Sequence, residues 1–244
     1  MGAPSVMGHT VPRDLECILL DRHNAVYIET PKVACTSIKV ALARIAGVDL
    51  RAADGNPHEA QWPTPASGPA SSGPLFPGLF AFAFVRNPWA RLVSCYRDKI
   101  GGEVDGYTYF TIRPGVANCL ARFDVMRAGM SFDEFVRAVA TIPDDEADAH
   151  FRSQHTFVTG GDGQPAIDFI GRYERIAEDF QLVGRTIGLP ALELPRLQAV
   201  REPAAYATFY TAETRQLVAE RYARDIELFG YAFNTTGGPR TSQP

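Results

Sequence analysis

Basic charge is what this chain most plainly lacks. Its 244 residues carry 24 Lys and Arg against 28 Asp and Glu, a net charge of −4. Bulk electrostatics therefore give no reason to expect a nucleic-acid partner, although a local basic pocket is compatible with that total. Cysteine is scarce too: Cys17, Cys35, Cys95 and Cys119 form no CxxC pair and have no histidines at zinc spacing. They read as reduced thiols of a cytoplasmic protein. The opening "MGAPSVMGHTVPRDLEC" has no apolar run of signal-peptide kind, and no stretch of the chain is long enough to span a membrane. Internal repeats are absent.

What is present fits one large domain. Hydrophobic residues make up 45% and charged residues 21%, an ordinary globular balance with enough apolar material for a core. Residues 1–16 read as a loose arm, 17–233 as the domain and 234–244 as a disordered tail. The many Ala, Arg and Gly residues suggest a bacterial source. "CILLDRHNAVYIET" offers two apolar runs around a turn, a strand pair with Ala25 to Glu29 the better strand. The helix after it shows Ile38, Leu42 and Ile45 on one face and stops at Gly47. Residues 54–78, rich in Pro, Gly and Ser, form a long loop rather than packed structure.

Phe80 to Val85 is a continuous apolar run, as expected of a strand buried on both faces. Asn87 caps the next helix, with Pro88 at its first position and Trp89, Leu92, Val93 and Tyr96 on its apolar side. Ser131 and Glu134 have capping-box spacing. A strand near Ile167 to Ile170 precedes a helix through about Ile187. One last helix carries the stripe Leu217, Val218, Tyr222, Ile226 and Phe229, ended by Gly230. Strands alternating with helices predict a single-domain, three-layer α/β fold with a central, mainly parallel sheet.

In such a sheet, ligands bind beyond the carboxyl ends of strands, near helix N-termini. Two strand–loop–helix units place polar residues there. In the first, Thr30 to Thr36 run into a helix start, where exposed amides attract an anion and Lys32 adds a full charge. Thr36 and Ser37 can donate hydroxyl bonds, or simply cap the helix. In the second, Arg86 leaves the strand and Ser94 lies along the helix. Arg suits bidentate phosphate recognition. The loop has neither Walker A glycine, its lysine comes early, and no strand ends in a magnesium-holding Asp. A nucleotide kinase with a degenerate loop is the weaker alternative, and a non-catalytic nucleotide-binding protein is another.

"TPKVACTSIKVAL" resembles the 5′-phosphosulfate loop of the sulfotransferases, particularly the carbohydrate (Golgi-type) branch. "FAFVRNPWARLVSCYRDKI" resembles that family's 3′-phosphate motif. "DFIGRYERIAEDFQLVGRTIGL" and "YARDIELFGY" resemble its later segments, so the likeness runs from about Ala25 to Phe233. It implies a P-loop-like fold and transfer of a sulfuryl group from 3′-phosphoadenosine-5′-phosphosulfate (PAPS) to an acceptor hydroxyl or amine, a carbohydrate or other small molecule, without a metal. Lys32, Val33, Ala34, Cys35, Thr36 and Ser37 would hold the phosphosulfate, and Arg86 and Ser94 the 3′-phosphate.

The resemblance places the base between these motifs. His58 is the only histidine there, followed by Glu59; an unperturbed ring would titrate near ~6.5. "DAHFRSQHTF" resembles the family's acceptor-side stretch. It implies that His150, Arg152 and His155 line the acceptor, with structural or solvent-facing roles the plain alternative. Which of His58, Glu59, His150 and His155 is the base, and the oligomeric state, stay open.

Overall fold

In a computed structural model, residues 15–70, 73–100, 116–195 and 203–234 are described. The arm assigned to 1–16 and the tail assigned to 234–244 fall almost wholly outside them. Four strands lie in chain order across one sheet: β1 (Cys17–Leu20), β2 (Ala25–Ile28), β3 (Phe80–Val85) and β4 (Phe169–Arg172). β1 and β2 form the expected antiparallel pair, turning at Asn24, whose φ of 46° is left-handed. β2, β3 and β4 run parallel. Their three carboxyl ends therefore open on the same side.

Side-chain alternation splits the sheet into two faces. Ala25, Tyr27, Phe82 and Phe84 point to one face, where α1 (Cys35–Ala46) and α4 (Ile176–Thr186) cover them with Ile38, Leu42, Phe180 and Val183. Val26, Ile28, Ala81, Ala83 and Val85 point to the other. They meet Phe157, Val158 and Phe229 of α6 (Ala223–Phe229). A further helical layer joins α2 (Pro88–Lys99), α3 (Phe132–Thr141) and α5 (Ala212–Arg221) through Leu92, Phe135, Val139, Val218 and Tyr222. The expected α/β fold with a central, mainly parallel sheet is the observed one.

Local signals account for the clearest boundaries. Asn87 accepts from the Trp89 and Ala90 amides at the start of α2, Ser131 and Glu134 form a capping box at α3, and Gly47 and Gly230 end α1 and α6 in left-handed conformations. Gly171 is needed for another reason: a Cβ there would sit 2.4 Å from the Phe84 ring.

Three expectations change. β4 begins at Phe169, two residues later than Ile167, because Phe169 pairs with Phe82 while the Asp168 carboxylate accepts from the Ala81 amide. The last helix is two helices. Tyr222 leaves helical geometry between them, and its buried hydroxyl donates to the Phe151 carbonyl at 2.6 Å. The loop over 54–78 does pack: Leu75 and Phe76 are buried, and the Leu75 amide donates to the Ala166 carbonyl. No helix among the described residues is long and apolar enough to cross a membrane.

Candidate active site

The turn between β2 and α1 is strained in two places. Lys32 and Ala34 have φ values of 70° and 56°, a region that costs an ordinary residue roughly 1–2 kcal/mol. Buried Val33 pins the loop between them. Ala34 occupies the N-cap position of α1 and has no side chain to accept a bond. The first-turn amides of α1 therefore have no intrahelical acceptor and no cap, which leaves a ready cradle for an anion. Thr36 and Ser37 do not cap this helix. Ser37 is buried, and the Thr36 hydroxyl lies 2.9 Å from His58 Nε2. Burial raises the Cys35 thiol to about 11, so it is no nucleophile at neutral pH.

Lys32 Nζ donates to Asp98 Oδ2 at 2.7 Å, and Lys99 Nζ reaches the same oxygen at 3.1 Å. Burial pulls the Asp98 carboxyl up, but the two ammonium groups outweigh it and hold it below the usual carboxylate range.

The β3–α2 unit is built differently. The Arg86 guanidinium stacks over the Tyr173 ring at 4.0 Å and donates to the Lys32 carbonyl at 3.2 Å. Its Nε is buried with no acceptor among the described residues. Gln154 clamps the Arg86 backbone, accepting from its amide and donating to its carbonyl, both at 2.8 Å. Ser94 is half-buried on α2, one turn before Asp98.

His58 stands beside the α1 cradle with its side chain about a third exposed. Partial burial lowers its pKa to about 4, with Lys39 and then Lys99 pushing the same way. The ring is neutral at pH 7, not half-protonated near ~6.5 as an unperturbed ring would be. Beneath it Glu29 pairs with Lys39 at 2.5 Å; burial raises that carboxyl to about 7 against the pull of Lys39. Glu59 is exposed and accepts from the Asn56 side chain, an arrangement that shapes the turn.

In the segment expected to line the acceptor, Asp148 Oδ1 accepts from the His150 amide at 3.0 Å and faces His150 Nδ1 at 2.6 Å. That contact makes Nδ1 the protonated nitrogen and leaves Nε2 as the basic one. Burial lowers the His150 pKa, opposed by the bond to Asp148 and reinforced by Lys99 and Lys32. Lys32 and Lys99 thus act on both His58 and His150. Arg152 lines a cavity of about 310 Å³ with Asn118, Cys119, Arg122, Asp148 and Ala149. His155 is placed otherwise: it is buried, and its amide and Nδ1 both meet the fully buried Asp225 carboxylate, at 2.8 and 2.9 Å. That bond anchors the segment to α6.

Arg91 is the residue that the motif contained and residue chemistry alone did not single out. It is 2% exposed and donates to the carbonyls of Pro31, Arg152 and Ala149 at 2.9, 2.7 and 2.8 Å. One guanidinium thereby ties the β2–α1 loop to the segment from Ala149 to Arg152. Two groups among the described residues have donor atoms within 4.8 Å of one another, as a metal would require: Glu29, Cys35 and His58, and Cys119, Asp148 and His150. In the first, Lys39 already neutralises Glu29.

Comparisons with known proteins identify the family. The profile of the sulfotransferase family matches residues 16–232. Carbohydrate sulfotransferase 14 of Danio rerio is 28% identical over 239 residues, 88% of this chain and 62% of that protein. Carbohydrate sulfotransferase 11 of Rattus norvegicus is 27% identical, covering 91% of this chain and 68% of the relative. Carbohydrate sulfotransferase 8 of Homo sapiens is 27% identical over 91% of this chain and 57% of its own. The chain spans about three fifths of the length of the first of these relatives. No solved structure matches.

Proposed function

The chain belongs to the sulfotransferase family, and from that premise we propose that it moves a sulfuryl group from PAPS to a hydroxyl of a carbohydrate acceptor. The observation that carries this reading is the uncapped start of α1 beside Lys32, whose carbonyl accepts from Arg86 at 3.2 Å, and an Arg86 whose buried Nε has no acceptor among the described residues. Two anion sites on neighbouring strand ends suit a donor with phosphates at both 5′ and 3′ positions. A buried, unpaired guanidinium N–H costs free energy unless something accepts from it, and a 3′-phosphate oxygen would. The names of the relatives support a saccharide acceptor. Four unpaired thiols support a reducing, cytoplasmic setting.

The chemistry follows from the residues. The acceptor oxygen bonds to sulfur as the bond from sulfur to the phosphate oxygen breaks, and the electron pair leaves on the phosphate. The acceptor proton goes to His58, neutral at pH 7 and therefore able to take it. Lys32 and the α1 amides meet the charge growing on the departing phosphate. Arg86 and Ser94 fix the donor in register. His150 and Arg152 face the acceptor. A kinase is disfavoured, because the loop has no Walker A glycines.

Two measurements test this. 3′-Phosphoadenosine-5′-phosphate (PAP, the desulfated product) should stabilise the fold without added metal, by about 2.7 kcal/mol at ~100-fold over its Kd. Labelled PAPS should pass its sulfate to members of a panel of saccharides. A thermal shift produced by ATP with magnesium and not by PAP would sink the proposal.

A further inference from the structure

Lys32 is the cation that the proposed chemistry needs at the leaving phosphate, yet its ammonium is paired with Asp98, 2.7 Å away. The partner is not incidental in position. Asp98 lies four residues after Ser94 on α2, so the two share one helix face. Its carboxylate is therefore on the donor side of α2 and would repel a phosphosulfate if left bare. Nor is Lys32 held there by its backbone alone. It sits in a left-handed conformation, with its side chain 17% exposed on a flexible four-carbon stem. Asp98 has a second cation on the same oxygen, Lys99 at 3.1 Å, whose side chain is only 6% exposed. When Lys32 leaves, Lys99 stays to neutralise the carboxylate. That is the arrangement expected of a group that can release one cation without being stranded as a buried, unpaired charge.

We propose that Asp98 is a positioning residue that holds Lys32 in the donor-free enzyme and releases it to the bridging oxygen of the bound phosphosulfate. Lys99 holds the Asp98 charge while Lys32 is away. The inference rests on the donor reading above and adds to it the place where Lys32 waits. It predicts that Lys32 contributes little to ground-state binding: what it gains on the phosphate it loses on Asp98. Its charge is then felt mainly as the leaving group develops. The plainer alternative is that Asp98 serves only to neutralise the buried Lys99 ammonium.

A double-mutant cycle separates the two. PAP affinity is measured by calorimetry for the wild type, Asp98→Asn, Lys32→Ala and the double variant. If the wild type does not bind PAP, the donor reading itself fails. If it binds, Asp98→Asn should bind PAP about ten-fold more tightly, because Lys32 is freed. In the Lys32→Ala background the same change should gain no more than about two-fold, the effect of removing one already neutralised carboxylate. An equal gain in both backgrounds, no gain, or a loss would overturn the proposal and leave the donor site intact. Should Asp98→Asn not fold, crystals of the wild type with and without PAP decide. Lys32 Nζ on the 5′-phosphate in the complex upholds the proposal, and Nζ still on Asp98 overturns it.

Discussion

The two strand–loop–helix units sit side by side at the carboxyl ends of the two inner strands, but their helix starts are opposites. At α1 the N-cap is Ala34, left-handed and without an accepting side chain, so the first amides are open. At α2 the N-cap is Asn87, whose side-chain Oδ1 takes the Trp89 and Ala90 amides, while the Glu174 carboxylate takes the Asn87 backbone amide. The first unit can therefore bind an anion with its backbone. The second has its first amides capped, so in the proposed reading it uses the side chains of Arg86 and Ser94 instead. Backbone amides and a lysine on a flexible stem are suited to charge that appears during a reaction. An arginine stacked on Tyr173 and clamped by Gln154 is better suited to holding a fixed charge. The first unit should govern turnover and the second donor affinity.

Variants in the first unit should break turnover with little change in PAP affinity. His58→Ala has the largest expected effect, a fall of roughly 10²–10⁴-fold in kcat, the usual scale for a general base. Because the ring titrates at about 4, wild-type kcat should hold across neutral pH and fall only as pH drops toward that value. An acid limb near ~6.5, the ordinary histidine value, would contradict the assignment. Full activity in His58→Ala, with loss in His150→Ala, would move the base to the ring oriented by Asp148. Loss in Glu59→Gln would move it to Glu59. Lys32→Ala comes next, with kcat down roughly 10²–10³-fold, the cost of losing one preorganised charge-stabilising donor. A matching loss of PAP affinity would make Lys32 a uniform binder and erase the contrast between the units.

Arg86→Ala tests the other half. Removing a charge-assisted, bidentate-capable group should weaken PAP roughly 10- to 100-fold, on the scale of hydrogen bonds to charged groups. Turnover at saturating donor should change less. If kcat falls and PAP affinity does not, the division of labour is wrong.

Much of this was legible because it is local. Asn87 followed by Pro88, the Ser131–Glu134 box and the apolar run of β3 each specify an element within a few residues of themselves. What could not be read depends on distant partners. Asp98 looks like a surface acid on a helix until Lys32, 66 positions earlier, is placed against it. Arg91 reads as one more helical arginine until the fold brings three carbonyls from two remote segments around it. His155 resembled an acceptor-side ring, and only the packing of α6 shows the Asp225 carboxylate waiting for it. The break at Tyr222 has the same origin, since no glycine or proline marks it and a hydroxyl bond to Phe151 does. Likewise the low pKa of His58 follows first from its partial burial and then from lysines on three separate segments.

The smallest functional effect is expected at Asn87, and it sharpens the comparison most directly. Its side chain has two tasks: Oδ1 caps α2, and Nδ2 donates to the Ala232 carbonyl at 2.9 Å. Asn87→Ala removes both, so stability should fall by about 2 kcal/mol, from about 1 for a lost cap plus about 1 for the second lost hydrogen bond. Asn87→Ser keeps an N-cap oxygen and loses only the second bond, so it should recover about half of that. Urea denaturation at pH 7 measures both. PAP affinity should stay within about two-fold of wild type in each, because the capped amides of α2 contact no donor in this reading and Arg86 is held from the other side by Gln154. If opening those amides in Asn87→Ala instead strengthens PAP binding, the cap has been shielding a second anion site, and the two helix starts differ in occupancy rather than in kind.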